Sequence, residues 1–199
     1  ELDRWLVEIR DLGFLPEGEM HARRGDRPPF ALGTDTEAYP LEKIKAAAER
    51  ALAPGPGKLD TLRELMADDD SAVRYWGAVG ALNIGQKAAK LSRELIALTK
   101  DDCDDVRVAA AQALHGIGEG GIARKTLSEV LESDNAFFRL RAMTVLDDMD
   151  EAGRPIVQEM AERGDSTTTG VYGENYIQAA INKAAADLGI DVPKPEKKK

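Results

Sequence analysis

The chain has 199 residues, 43% of them hydrophobic and 32% charged, enough for one domain with its own core. Its 27 Lys and Arg stand against 36 Asp and Glu, a net charge of -9, which argues against nucleic acid as a partner because phosphate recognition needs clustered cations. No apolar run approaches the ~18 residues of a spanning helix; the single Cys103 excludes an internal disulfide, and two histidines, His21 and His115, are too few for a multi-histidine zinc site.

The chain opens on Glu1 without Met or a signal-like segment, and is read as a piece of a longer protein. Residues 1–36 form an irregular N-terminal segment. In it, Leu2, Trp5, Leu6 and Ile9 outline a short amphipathic helix, and a Gly- and Pro-rich stretch carries Phe14, Leu15, Pro28, Pro29 and Phe30. A helix is expected over Leu41 to Ala53, closed by Pro54-Gly55-Pro56-Gly57. It is read as a degenerate half-repeat that caps the first complete helix pair.

From there the sequence repeats. Val73-Arg74, Val106-Arg107 and Phe138-Arg139 are spaced by 33 and 32 residues. From Val106 the apolar positions run Val106, Ala109, Ala110, Ala113, Leu114 and Ile117, one face of a helix. The same slots hold Val73, Trp76, Gly77, Gly80, Ala81 and Ile84 before it, and Phe138, Arg141, Ala142, Val145, Leu146 and Met149 after it. Ile177, Ala180, Ile181, Ala184, Ala185 and Leu188 make a fourth copy. One slot is always small (Gly77, Ala110, Ala142), as expected where a neighbouring helix presses in.

A shorter apolar helix precedes each of these, marked by Leu62, Leu65 and Met66, then Leu95 and Leu98, then Leu127, Val130 and Leu131. The turns between are Asp68 to Ser71, Asp101 to Asp105, and Ser133 to Asn135, whose side chains suit capping of the second helix. Gly85, Gly118 and Gly189 suit a left-handed helix stop. Neither helix of a pair buries its apolar face alone, so stacked copies must share one core. The expectation is an all-α fold, an α-solenoid of helical hairpins over residues 37–190, about four repeats plus the capping helix. The fourth repeat carries a polar insertion over residues 164–173. Residues 191–199, ending in three lysines, are expected to be a disordered tail.

The 32–33-residue pairs, with Asp at the turn and Val-Arg opening the second helix, resemble short HEAT-like repeats over roughly residues 58–190. The N-terminal wording adds to this. Leu2-Asp3-Arg4-Trp5, then Arg10 to Met20, Gly25-Asp26-Arg27-Pro28-Pro29-Phe30, Tyr39-Pro40 and Asp70 to Trp76 together resemble the C-terminal region of a subset of bacterial formylglycine-dependent sulfatases. That resemblance implies a catalytic domain absent from this chain, and an exported, periplasmic or extracellular setting. The family nucleophile sits in a Cys-or-Ser, any residue, Pro-Ser-Arg motif beside a carboxylate-held calcium. Cys103-Asp104-Asp105-Val106-Arg107 lacks the Pro and the Ser, so no family active-site residue maps onto this chain.

Other candidates weigh less. The acidic turns lack the glycine bend and closing glutamate of a calcium loop, which favours capping over cation binding. Arg74, Arg107 and Arg139 read as a structural ladder of exposed pairs with the acidic turns of neighbouring repeats, in preference to a sulfate or phosphate ladder. His115 has no nucleophile at helical reach, Arg24-Gly25-Asp26 is a chance tripeptide, and residues 164–173 lack the lysine of a phosphate loop.

One stripe of apolar positions lies off the main core face: Tyr75, Ala78, Val79 and Leu82, then Val108 and Ala111, then Leu140 and Met143. The candidate interaction surface takes Tyr75, Val79, Leu82, Val108 and Leu140 from it and adds Trp76, Gln112, His115 and Thr144. On the inner curve of a solenoid the stripe forms an exposed interaction surface unless covered, and residues 1–36 are expected to cover part of it through Trp5, Phe14, Leu15 and Phe30. The functional expectation is a non-catalytic scaffold with no cofactor and a protein partner, either the sulfatase catalytic domain in cis or another protein. Neither nucleic acid nor membrane is expected as a partner. The alternative is a free-standing adaptor binding a peptide on the concave face. An enzyme of the bilin-lyase or DNA-glycosylase type ranks third, because no catalytic set is in view.

Overall fold

The computed structural model describes residues 22, 25–28, 35, 40–164 and 174–192. The described residues are all-α, as expected, with no strand among them. The elements are α1 (Leu41–Leu52), α2 (Lys58–Met66), α3 (Ser71–Asn83), α4 (Ser92–Leu98), α5 (Asp104–Gly116), α6 (Gly120–Val130), α7 (Ala136–Asp148), α8 (Arg154–Arg163) and α9 (Glu174–Asp187). Short 3-10 turns lie at Gly85–Leu91 and Asp150–Ala152. The expected docking of Trp5, Phe14, Leu15 and Phe30, the insertion over 165–173 and the tail over 193–199 lie outside the described residues.

The chain divides into two compact units, Glu1–Glu119 and Gly120–Lys199. In the first, α3 is central, packing on α1, α2 and α5, and α5 also packs on α4. In the second, α7 packs on α6, α8 and α9, and α8 also packs on α9. Second helices therefore meet within each unit, and most of their predicted core positions are buried, while Trp76, Ile84, Ile117, Phe138, Arg141, Ala180 and Leu188 are half-buried. Val73, Ala81, Val106, Ala110, Leu114, Ala142, Leu146, Ile177 and Ile181 are all buried. So are Leu62, Leu65, Leu95, Leu98, Leu127 and Val130 of the first helices. Burial of each leucine-sized side chain contributes roughly 1.5–3 kcal/mol, which this arrangement obtains only by pairing helices.

Small residues set the spacing. A methyl group on Gly77 would stand 2.7 Å from Met66 Cγ and 2.8 Å from Met66 N, so α2 is the helix that presses on the small slot of α3. Gly80 is tighter still: a methyl there meets the Leu62 side chain and lies 2.8 Å from the carbonyl oxygen of Ala51, at the crossing of α1.

The expected helix stops appear at Gly85, Gly118 and Gly189, with φ of 58°, 95° and 64°. In the third hairpin the same place, 32 residues after Gly118, is held by Asp150 with φ 48°, the one non-glycine in the left-handed region among the described residues. Aspartate tolerates this conformation better than most side chains. Two further features differ from expectation. From Gly85 the chain forms a seven-residue 3-10 turn that buries Ala88 and Leu91, leaving α4 with seven residues. And α1 ends at Leu52, where the ammonium of Lys58 donates to the carbonyls of Arg50 and Ala53 at 3.0 and 2.7 Å and to that of Ala51, taking the place of helical partners those oxygens lack.

Candidate functional site

The candidate surface residues recur at one register: Tyr75, Val79 and Leu82 on α3, Val108, Gln112 and His115 on α5, Leu140 and Thr144 on α7. Spacing by four and then three residues puts each set on one helix face. In the first unit Tyr75, Trp76, Val79, Leu82, Gln112 and His115 are half-buried. The rings of Tyr75 and Trp76 meet edge to face, centroids 5.7 Å apart at 76°, the arrangement the ring quadrupoles favour. Leu82 reaches the end of α5, its Cδ1 lying 4.0 Å from where a side chain on Gly116 would begin, and Gln86 Nε2 donates to the Gly116 carbonyl at 2.6 Å. In the second unit Leu140 is half-buried, and exposed Thr144 turns its hydroxyl back onto the Leu140 carbonyl at 3.0 Å.

Val108 does not belong to an open surface. It is 1% exposed, and Ala78, Ala111 and Met143, expected in the same open stripe, are buried as well. The reason is the composition of α5, which buries Val106, Val108, Ala109, Ala110, Ala111, Ala113 and Leu114 around much of its circumference. A helix apolar on several sides is packed on several sides.

The acidic turns are occupied by backbone and arginine. Asp70 Oδ1 accepts from Ala72 N at 2.9 Å, and Asn135 Oδ1 from Phe137 N at 2.9 Å, as N-caps of α3 and α7. Asp68 Oδ1 accepts from Asp70 N and from Lys43 Nζ. The middle turn departs from the expected cap. The N-cap of α5 is Cys103 with no side-chain cap bond, while Asp101 accepts from Cys103 N at 3.0 Å and faces Arg74. Among the described residues no group of three His, Cys, Asp or Glu is placed to hold a metal ion.

Arg74 is the best-defined member of the arginine ladder. Its Nε and Nη2 clasp Asp101 at 2.7 and 2.8 Å, Nη2 also reaches Asp102 at 2.9 Å, and Nη1 donates to the carbonyls of Asp68 and Asp69. One guanidinium thus ties its own turn to the next. The pair is sheltered, with side chains 15% and 5% exposed for Arg74 and Asp101, so it is not the exposed bridge expected from sequence. Burial pushes the Asp101 carboxyl up, but the hydrogen bonds from Arg74 and Cys103 N–H outweigh it and hold the group below its usual value. Arg107 binds its own turn, at Asp104 Oδ1 and the Thr99 carbonyl. Arg139 is 1% exposed and donates to the Ser133 carbonyl at 2.7 Å, again no surface bridge.

Burial pushes the Cys103 thiol up to about 12, helped by the nearby carboxylates of Asp105 and Asp101. A thiol held in that state lacks the thiolate needed for nucleophilic or metal chemistry near neutral pH. No family model matches the chain, and no curated protein matches it in sequence.

Proposed function

We propose that this chain is a non-catalytic scaffold, an α-solenoid of short HEAT-like repeats whose stacked second helices offer a protein-binding face around Tyr75, Trp76, Val79, Leu82, Gln112 and His115. The observation that supports it best is the Arg74 clasp. The same side chain binds the turn of its own hairpin and the turn of the next, as hairpins stacked side by side allow, and the equivalent Arg107 and Arg139 likewise bind the turns of their own hairpins. The seating of α1 on α3, where a preceding second helix would stack, agrees with a capping half-repeat. The buried thiol of Cys103 and the engagement of the turn carboxylates in caps and ion pairs favour a scaffold over a hydrolase.

The resemblance in residues 1–36 points to a sulfatase catalytic domain as the partner in cis. Mixing this chain with a formylglycine-dependent sulfatase catalytic domain should give a complex in size-exclusion chromatography, lost on Val79→Asp. The chain alone should leave an aryl sulfate intact in the presence of calcium. Turnover by the chain would end the scaffold reading; a stable complex with an unrelated protein through the same face, and none with the catalytic domain, would favour the free-standing adaptor.

A further inference from the structure

A groove of about 430 Å³ opens beside the Pro54 to Gly57 turn, between the ends of α1 and α3 and the 3-10 turn after α3. Its walls include the hydrocarbon of Leu52, Leu59 and Ile84, and three lysines reach it: Lys58, Lys87 and Lys90. Among the described residues no carboxylate lines it. Cavities of this size suit small organic ligands.

The three cations are not equivalent. Lys58 caps α1, its ammonium donating to three carbonyls, so the negative end of that helix is already met. Lys87 and Lys90 have no such duty. They stand three apart on a 3-10 turn of three residues per turn, which stacks them on one side. Both are exposed, and among the described residues neither ammonium makes an ion pair. This occurs in an acidic chain whose Lys43, Arg50 and Arg63 nearby each find a carboxylate. Two like charges stacked beside a third repel one another unless an anion lies between them. Leu52 at the rim is 47% exposed, one of three large apolar side chains so open among the described residues.

We propose that this groove binds a small amphipathic anion, its carboxylate or sulfonate head held by Lys87 and Lys90 and its hydrocarbon body lying on Leu52, Leu59 and Ile84. The site is independent of the scaffold face. The test is a fluorescence titration of the full chain with anilinonaphthalene sulfonate at low salt, with decanoate and inorganic sulfate as competitors. Saturable binding is expected, displaced by decanoate and at least about a hundredfold less well by sulfate, which lacks the apolar body. The double variant Lys87→Gln/Lys90→Gln removes two exposed charges without touching a hydrogen bond, and should keep its melting temperature while binding about tenfold more weakly. Ala53→Trp, at an exposed position in extended conformation, should fill the groove and abolish binding with every charge in place. Lys100→Gln, exposed and away from the groove, should change nothing. Absence of saturable binding, unchanged affinity in the double lysine variant or in Ala53→Trp, or sulfate competing as well as decanoate would each overturn the proposal.

Discussion

Gly80 shows how much one missing methyl group contributes here. Alanine is the better helix former by about 1 kcal/mol, so Gly80→Ala in an open position would stabilise α3. At this crossing the new methyl meets the Leu62 side chain and the Ala51 carbonyl, and the carbonyl belongs to a packed helix that cannot swing aside. Overpacking of this kind costs about 1–3 kcal/mol, and Gly80→Ala should lower the free energy of unfolding by about 2 kcal/mol in urea titration. Gly121→Ala, in α6 with nothing within 4 Å of the new methyl, should instead raise it by about 0.5 kcal/mol. Cys103 makes a different residue-scale prediction. Its folded thiol keeps its proton up to about 12, whereas an unfolded thiol loses it near about 8.5. The stability it contributes is present below the unfolded value and falls as pH rises toward the folded one, by up to about 1.4 kcal/mol per pH unit. Wild type should therefore lose stability between pH 9 and about 11, and Cys103→Ala should show a flatter profile over that range.

At the scale of the elements, the Arg74 clasp joins α3 to the turn that opens α5, and its energetics differ from those of a surface bridge. Removing one partner strands the other in a sheltered place, a loss of about 3 kcal/mol by comparison with broken buried pairs. Arg74→Ala should cost that much, and Asp102→Asn, whose side chain is 90% exposed, less than about 0.5 kcal/mol. The double change Arg74→Met/Asp101→Leu should recover most of the loss. A double-mutant cycle by chemical denaturation measures the coupling directly, and additive effects would show that the clasp is not cooperative. The second-helix register was legible in the sequence, because a 3.6-residue apolar period is carried by side chains alone, and Val73, Val106 and Ile177 fell where it put them. The partners were not. Whether Asp101 caps α5 or turns to Arg74, whether Arg139 lies on the surface or inside, and whether Val108 stays open all depend on which element lies opposite. Periodicity along one helix does not carry that information. The groove at Lys87 escaped for the same reason: two lysines three apart read as a solvated face until a 3-10 turn stacks them beside the end of α1.

For the molecule as a whole, the two units differ in how their carboxylates are held, and acid should tell them apart. In the first unit the Arg74–Asp101 pair is sheltered, and Asp101 titrates below an ordinary aspartate. In the second, the Arg154–Glu151 and Arg163–Glu132 pairs have carboxylates that are mostly exposed, at 73% and 66%, and the more sheltered Asp147, at 20%, pairs with an open lysine, Lys183, at 63%. Arg154 holds Glu151 below its usual value too, but water screens that contact. A carboxyl with a depressed folded value contributes stability that is complete above its unfolded value. That contribution drains away as pH falls from about 4 through the folded value. The loss should fall on the first unit, where the protonated Asp101 would leave the Arg74 guanidinium sheltered and without its counter-charge. Amide hydrogen exchange at pH 5 and pH 3, corrected for intrinsic rates, should show protection in α3 and α5 dropping more than in α7 and α9. Asp101→Asn should remove most of the difference, starting from a lower stability at pH 5. Equal loss in both units would mean that the clasp is no stronger than the surface pairs, and that apolar packing alone holds the hairpins of the first unit together.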